Sequence, residues 1–264
     1  MNRIDAMFKR LSQDRGKALI PYLTVGFPSV KILPKLVQAL VAEGVDLMEL
    51  GIPFSDPLAD GPTIQAASQW ALRQGVTPAG VLRAVRKLRD SKISVPIALM
   101  TYTNPVLRYG VEKFCRDCSR SGVDGLILPD LPPEEAGELL KAARPRGIDV
   151  VFLAAPTSPA PRLRRIARDS SGFIYYVSLT GVTGARASLP AEVAAHVRSI
   201  KQMTDLPVCV GFGISGAEQV REVARIADGV IVGSALLDRI RRSEKDPVRQ
   251  AALFVRKLRT ASRV

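Results

Sequence analysis

The reading starts at Ala18-Leu-Ile-Pro-Tyr-Leu-Thr-Val25, an apolar run that is followed, after a helical stretch, by Asp46-Leu-Met-Glu-Leu50. Between the two runs, Leu33, Leu36, Val37, Leu40 and Val41 recur at the spacing of one helix face. A continuous apolar run suits a strand buried on both sides, as in a parallel sheet covered by helices. The same strand–helix unit then repeats along the chain. Further runs lie at Pro96–Tyr102, Gly125–Leu128, Val150–Ala154, Phe173–Ser178, Val208–Val210 and Gly229–Val232. Amphipathic segments separate them, for example Val81, Leu82, Val85 and Leu88, or Val193, Val197 and Ile200.

Eight strand–helix units in 264 residues predict an α/β fold, a single (βα)8 TIM barrel. A helix over Arg3–Arg15 is expected to cap the barrel bottom, and Thr63–Arg73 to add a helix after the second strand. No Pro/Gly/Ser-rich linker divides the chain, so residues 1–264 are read as one domain.

Composition narrows the function classes. Three cysteines make no disulfide framework, which points to a reducing, cytoplasmic setting. The N-terminal segment has no apolar core of a signal peptide, and no stretch is long and apolar enough for a transmembrane helix. The formal net charge is +13, but the cations are scattered over helices without a nucleic-acid motif, and aromatic residues make up only 5%. A basic surface or attraction of anionic substrates accounts for the charge, so neither nucleic-acid nor membrane binding is expected. His196, the one histidine, sits on a helix and cannot build a metal site. Cys115-Arg-Asp-Cys118 lacks a second pair to complete a zinc site and is placed on the helix after the third strand.

In such barrels the chemistry sits at the C-terminal ends of the strands. Glu49 is the ionisable residue of an apolar strand, where burial raises a carboxyl pKa toward the range useful for proton transfer. The alternative is a Glu paired with a neighbouring Lys or Arg, but no predicted strand carries one. Asp56 and Asp60 follow in a loop stiffened by proline and glycine. Either could stand opposite Glu49 and share acid and base roles, or serve as a turn residue or cap. Glycines recur after the last three strands, at Gly181-Val-Thr-Gly184, Gly211-Phe-Gly213 and Gly233-Ser234. With a short helix at Ala235–Arg241, they suggest a phosphate site built from backbone N–H groups, or else ordinary turns.

The stretch Glu49-Leu-Gly-Ile-Pro-Phe-Ser-Asp-Pro-Leu-Ala-Asp-Gly-Pro-Thr-Ile-Gln65 resembles the signature of tryptophan synthase α subunits. Pro21-Tyr-Leu-Thr-Val-Gly26, Met100-Thr-Tyr-Thr-Asn104, Ser178-Leu-Thr-Gly-Val-Thr-Gly184 and Val210-Gly-Phe-Gly-Ile-Ser215 match in order and spacing, so the resemblance spans essentially the whole chain. It implies a lyase that splits indole-3-glycerol phosphate into indole and glyceraldehyde 3-phosphate by retro-aldol cleavage. Glu49 would be the main acid–base residue and Asp60 its partner. Gly184, Gly213, Gly233 and Ser234 would bind the phosphate. Tyr22, Met100, Ile127, Leu153, Tyr175 and Phe212 would line the indole pocket. The segment Leu179–Ser188 would be a lid from which Thr183 reaches Asp60. The resemblance implies no cofactor or metal in this chain. It also implies a β subunit that carries pyridoxal phosphate, receives indole through a tunnel and completes an α2β2 heterotetramer. Pro53, Asp56 and Asn104 match positions near that contact. The alternative within the same chemistry is a stand-alone lyase that releases free indole.

Overall fold

The structure is a computed structural model and describes residues 2–177, 191–211, 213–243 and 245–264. Its strands are β1 (Ala18–Thr24), β2 (Met48–Gly51), β3 (Ile97–Met100), β4 (Gly125–Ile127), β5 (Asp149–Val151), β6 (Leu153–Ala154), β7 (Ile174–Val177), β8 (Val208–Gly211) and β9 (Gly229–Val232). All pair in parallel, in the order β5-β4-β3-β2-β1-β9-β8-β7-β6. The fifth strand, read from the sequence as one run, is broken at Phe152 into β5 and β6. One half pairs with β4 and the other with β7, so the chain itself closes the ring. The result is an eight-unit TIM barrel in nine strand segments.

Every residue of β1, β2, β3 and β9 is buried. That explains why their sequences run apolar instead of alternating: one set of side chains fills the barrel and the other packs under the helices. Fully burying each large aliphatic side chain is worth roughly 1.5–3 kcal/mol.

The bottom of the barrel is sealed by the helix Arg3–Gln13. Asn2 and Asp5 form its capping box, and Ile4, Met7, Phe8 and Leu11 make its buried face. Ile4 packs so closely on the start of β4 that a Cβ on Gly125 would stand 2.8 Å from its Cδ1. Glycine there lets the helix close the barrel. The extra helix after β2 spans Pro62–Arg73, opening with proline in its first turn.

Five of the helix cations have structural work at this end. Three carboxylates, each just before a strand, accept a backbone N–H at the start of the preceding strand. Asp46 accepts from Leu19 at 3.0 Å, Asp124 from Ile97 at 2.8 Å and Asp228 from Val208 at 3.0 Å. Each is neutralised by helix cations: Asp46 by Arg10 and Arg259, Asp124 by Arg3 and Arg89, Asp228 by Lys201. These pairs tie helices to strand starts, which accounts for part of the positive excess without a nucleic-acid partner. Among the described residues, no helix is long and apolar enough to cross a membrane.

Candidate active site

Glu49 lies in the middle of β2, in register with Tyr22 of β1 on one side and Ala98 of β3 on the other. Its strand position sends the side chain into the barrel, and only 1% of the residue is exposed. Neither carboxyl oxygen has a hydrogen-bond partner among the described residues. The ion-paired alternative therefore finds no support there. Burial, then the nearby Asp60 carboxylate, pushes the Glu49 pKa up to about 8.

Asp60 ends the loop after β2, one residue before Gly61, which caps the helix Pro62–Arg73. The loop is held from both sides. Asp60 N–H donates to the Pro57 carbonyl at 3.0 Å, and Gln65 Nε2 donates to the Asp60 carbonyl at 2.8 Å. The side chain is buried, and Oδ1 has no hydrogen-bond partner among the described residues. Burial raises its pKa to about 6, opposed by a hydrogen bond from the Tyr102 hydroxyl. Asp56, the other loop carboxylate, is exposed and accepts from the Ser55 hydroxyl at 2.6 Å. Of the two aspartates, it is Asp60 whose field reaches Glu49.

Tyrosines surround the carboxylates. Tyr22 is buried, its hydroxyl 3.2 Å from Thr24 Oγ1, and it feels both Asp60 and Glu49. Tyr175 of β7 is buried and feels Glu49, Tyr22 and Asp60. Met100, Ile127 and Leu153 stand on β3, β4 and β6, with Met100 in register with Ile127 and Leu153 with Tyr175. The described members of the expected ring pocket thus stand on five of the barrel strands, and two of them, Tyr22 and Tyr175, feel both acids. Phe212, the remaining member, lies outside the described residues, as do Thr183, Gly184 and the expected lid Leu179–Ser188.

Tyr102 was missed by the sequence reading. It sits two positions past β3, at the end of the run Pro96–Tyr102, and is not among the expected site residues. Its hydroxyl accepts from the Ala59 N–H at 3.1 Å, and its ring lies 5.5 Å from that of Phe54. One side chain thus fixes the loop and touches its carboxylate. The signal was available: an aromatic hydroxyl at the end of a barrel strand.

The described glycines of the expected phosphate site also stand at the mouth. Gly213 follows β8 with φ +79°, a backbone shape that glycine adopts without strain. Gly233 follows β9 and caps the helix Ser234–Arg241, whose first residue is Ser234. A Cβ on Gly233 would stand 3.4 Å from Tyr22 Cβ, which places this helix start beside Tyr22. Pro53 is buried, so it shapes the loop from within, whereas Asp56 and Asn104 are exposed. Cys115 and Cys118 are buried on the helix Val111–Ser121, and burial pushes both thiols up, away from reactivity.

The arrangement brings together two buried carboxyls with raised pKa values, two buried tyrosines that feel them, and a helix start beside Tyr22. The family model described as tryptophan synthase alpha chain matches residues 8–263. The tryptophan synthase alpha chain of Chloroflexus aggregans is 51% identical over 263 residues, covering 99% of this chain and 98% of the relative. That of Geobacter sulfurreducens is 47% identical, covering 99% of each. The crystal structure of tryptophan synthase subunit alpha from Legionella pneumophila superposes with a TM-score of 0.92 at 38% identity, covering 99% of this chain and 98% of that one. A structure of Mycobacterium tuberculosis tryptophan synthase gives 0.91 at 39% identity, covering 100% of this chain and 99% of that one. On its fold, the arrangement of its site and its sequence, this chain belongs to the tryptophan synthase alpha chain family.

Proposed function

We propose that residues 1–264 act as one barrel domain that cleaves indole-3-glycerol phosphate to indole and glyceraldehyde 3-phosphate, with Glu49 as acid–base residue and Asp60 as its partner. The observation that carries this is two buried carboxyls, Glu49 with neither oxygen hydrogen-bonded and Asp60 with Oδ1 unpartnered among the described residues; burial pushes the first up to about 8 and the second to about 6. Near neutral pH the first holds a proton and the second holds a negative charge.

The reaction needs that division. Indole leaves as a carbon group, so its C3 must first take a proton. Glu49 supplies it, and the positive charge that develops on the ring nitrogen is met by Asp60. The Glu49 carboxylate then takes the proton of the adjacent glycerol hydroxyl. The O–H electron pair becomes the carbonyl, the carbon–carbon bond breaks, and its pair returns to the ring and neutralises the nitrogen. Glu49 ends protonated, ready for another turnover. Tyr22, Met100, Ile127, Leu153, Tyr175 and Phe212 would hold the ring. The amides around Gly184, Gly213, Gly233 and Ser234 would hold the phosphate. Asp60 Oδ1, unpartnered among the described residues, would accept a hydrogen bond from Thr183.

The chemistry requires no cofactor in this chain. In the assembly we propose, a β subunit carrying pyridoxal phosphate docks on the mouth in an α2β2 complex in the cytoplasm and consumes the indole in tryptophan biosynthesis. Large apolar side chains exposed on segments around the mouth support a partner there: Leu58 at 88%, Leu107 at 56% and Trp70 at 50%. The test is indole release from indole-3-glycerol phosphate with and without a β subunit. Stimulation by the β subunit supports the complex. Fast release by the chain alone, unchanged on adding the β subunit, supports a stand-alone lyase.

A further inference from the structure

The other end of the barrel holds a cavity of about 770 Å³ between the helix Arg3–Gln13 and the starts of β1, β7, β8 and β9. A volume of this size suits a metabolite-sized ligand. It lies at the strand starts, opposite the carboxylates of the mouth, and no step of the proposed cleavage uses it.

Its charges are unevenly committed. Four cations line it: Lys9, Arg15, Lys17 and Lys201. The acids are Asp5, Asp205 and Asp228. Asp5 is occupied by the capping box with the Asn2 N–H at 3.0 Å. Asp228 is occupied by Lys201 at 2.7 Å and the Val208 N–H at 3.0 Å. Lys17 is half-buried and spends one proton on the Ala227 carbonyl at 2.8 Å, which leaves two N–H donors of its ammonium. Burial lowers the Lys17 pKa, Asp228 opposes that, and Lys201 adds to it. Lys9 and Arg15 are exposed at the rim and form no ion pair among the described residues. Asp205 is the one lining acid not tied to a cation or a cap among the described residues. Beside the cations, Phe8, Leu206 and Pro207 supply an apolar wall.

We infer that this cavity binds a small organic oxyanion, a carboxylate or phosphate on an apolar body, with Lys17 and Arg15 as its charge partners. Hydrogen bonds to charged groups are the stronger class, and a half-buried ammonium with donors to spare gains most from an anion. The apolar wall accounts for the organic body. The inference is independent of the reaction at the mouth.

Two variants isolate the site. Arg15→Gly removes a cation at a residue with φ +50°, where glycine is the less strained choice, so the variant should fold at least as well as the parent. Lys17→Met keeps the aliphatic stem and removes the charge. The full chain is titrated calorimetrically with isophthalate and, separately, with inorganic phosphate. Isophthalate should bind once per chain and more tightly than phosphate. Each variant should weaken it by about tenfold, while Gly213→Asp at the opposite end leaves it unchanged. Indole release should stay at the parental level in Arg15→Gly and Lys17→Met. Absence of saturable isophthalate binding, equal binding by parent and Arg15→Gly, or loss of binding in Gly213→Asp would overturn the inference. Phosphate binding as tightly as isophthalate would overturn the assignment of an apolar body.

Discussion

Tyr22 lies against the backbone of Gly51, so close that a Cβ on Gly51 would stand 2.0 Å from the Tyr22 hydroxyl oxygen and 2.6 Å from its Cζ. The same relation recurs across the barrel, where a Cβ on Gly211 would stand 2.7 Å from the Tyr175 hydroxyl. In both pairs a tyrosine of one strand reaches over the glycine that ends the next. The glycines are what allow two phenol rings to lie beside Glu49.

Gly51→Ala should therefore displace the Tyr22 ring and damage both stability and turnover. Overpacking of this kind costs about 1–3 kcal/mol. Denaturant unfolding measures it, and combining the change with Tyr22→Leu should recover part of the loss. Additive effects of the two substitutions would mean that the glycine and the ring do not constrain each other.

Glu49→Gln should nearly abolish cleavage while leaving affinity for glycerol phosphate intact. It preserves shape and removes the transferable proton, a change that costs about 100- to 10,000-fold in general acid–base catalysis. Asp60→Asn should also be severe, and Asp56→Asn mild. A dead Asp56→Asn beside an active Asp60→Asn would reverse the choice between the two loop carboxylates.

The pH profile of kcat/KM should be a bell. Its acidic limb, near 6, is protonation of Asp60; its basic limb, near 8, is loss of the Glu49 proton. Tyr102→Phe removes the hydrogen bond that holds the Asp60 pKa down, so the acidic limb should move upward while the basic limb stays. An unmoved acidic limb would detach Tyr102 from Asp60.

Stability should carry the opposite signature. The folded pKa of Glu49 is raised above its ordinary value of 4.5. Its contribution is therefore most favourable below about 4.5 and is lost as pH rises through about 8. Glu49→Gln carries no such penalty, so its stability relative to the parent should rise across that window by up to about 1.4 kcal/mol per pH unit. Unfolding free energies of the two proteins, compared at several pH values, read this directly. A constant difference would mean that Glu49 titrates normally.

Gly213→Asp should weaken binding of glycerol phosphate, because it sets a carboxylate beside the anion and fills the space the backbone leaves open. Unchanged affinity would move the phosphate site elsewhere.

Much of this was legible in the sequence because barrel strands announce themselves. Gly229–Val232 matched residue for residue, and Glu49 stood out as a charge within an apolar strand. The break at Phe152 was not legible, since nothing in an apolar run marks where its hydrogen bonding changes partner. Spacing alone left Asp56 and Asp60 even, because the choice depends on how a proline-rich loop folds back, and only the family resemblance singled out Asp60. The role of the three bottom carboxylates Asp46, Asp124 and Asp228 was not legible, because it lies in pairing with helices distant in sequence. Tyr102 was overlooked for a simpler reason: strand ends are uncertain by a residue or two, and the site begins there.

The central claim is that Glu49 performs the proton transfers of a retro-aldol cleavage. Its most direct test is indole release from indole-3-glycerol phosphate, with a β subunit present, by the parent chain and by Glu49→Gln side by side. The account predicts one indole per glyceraldehyde 3-phosphate from the parent, and at least about a hundredfold slower release from a variant that still binds glycerol phosphate. No indole from the parent, or a variant that keeps more than about a tenth of parental activity, would contradict it.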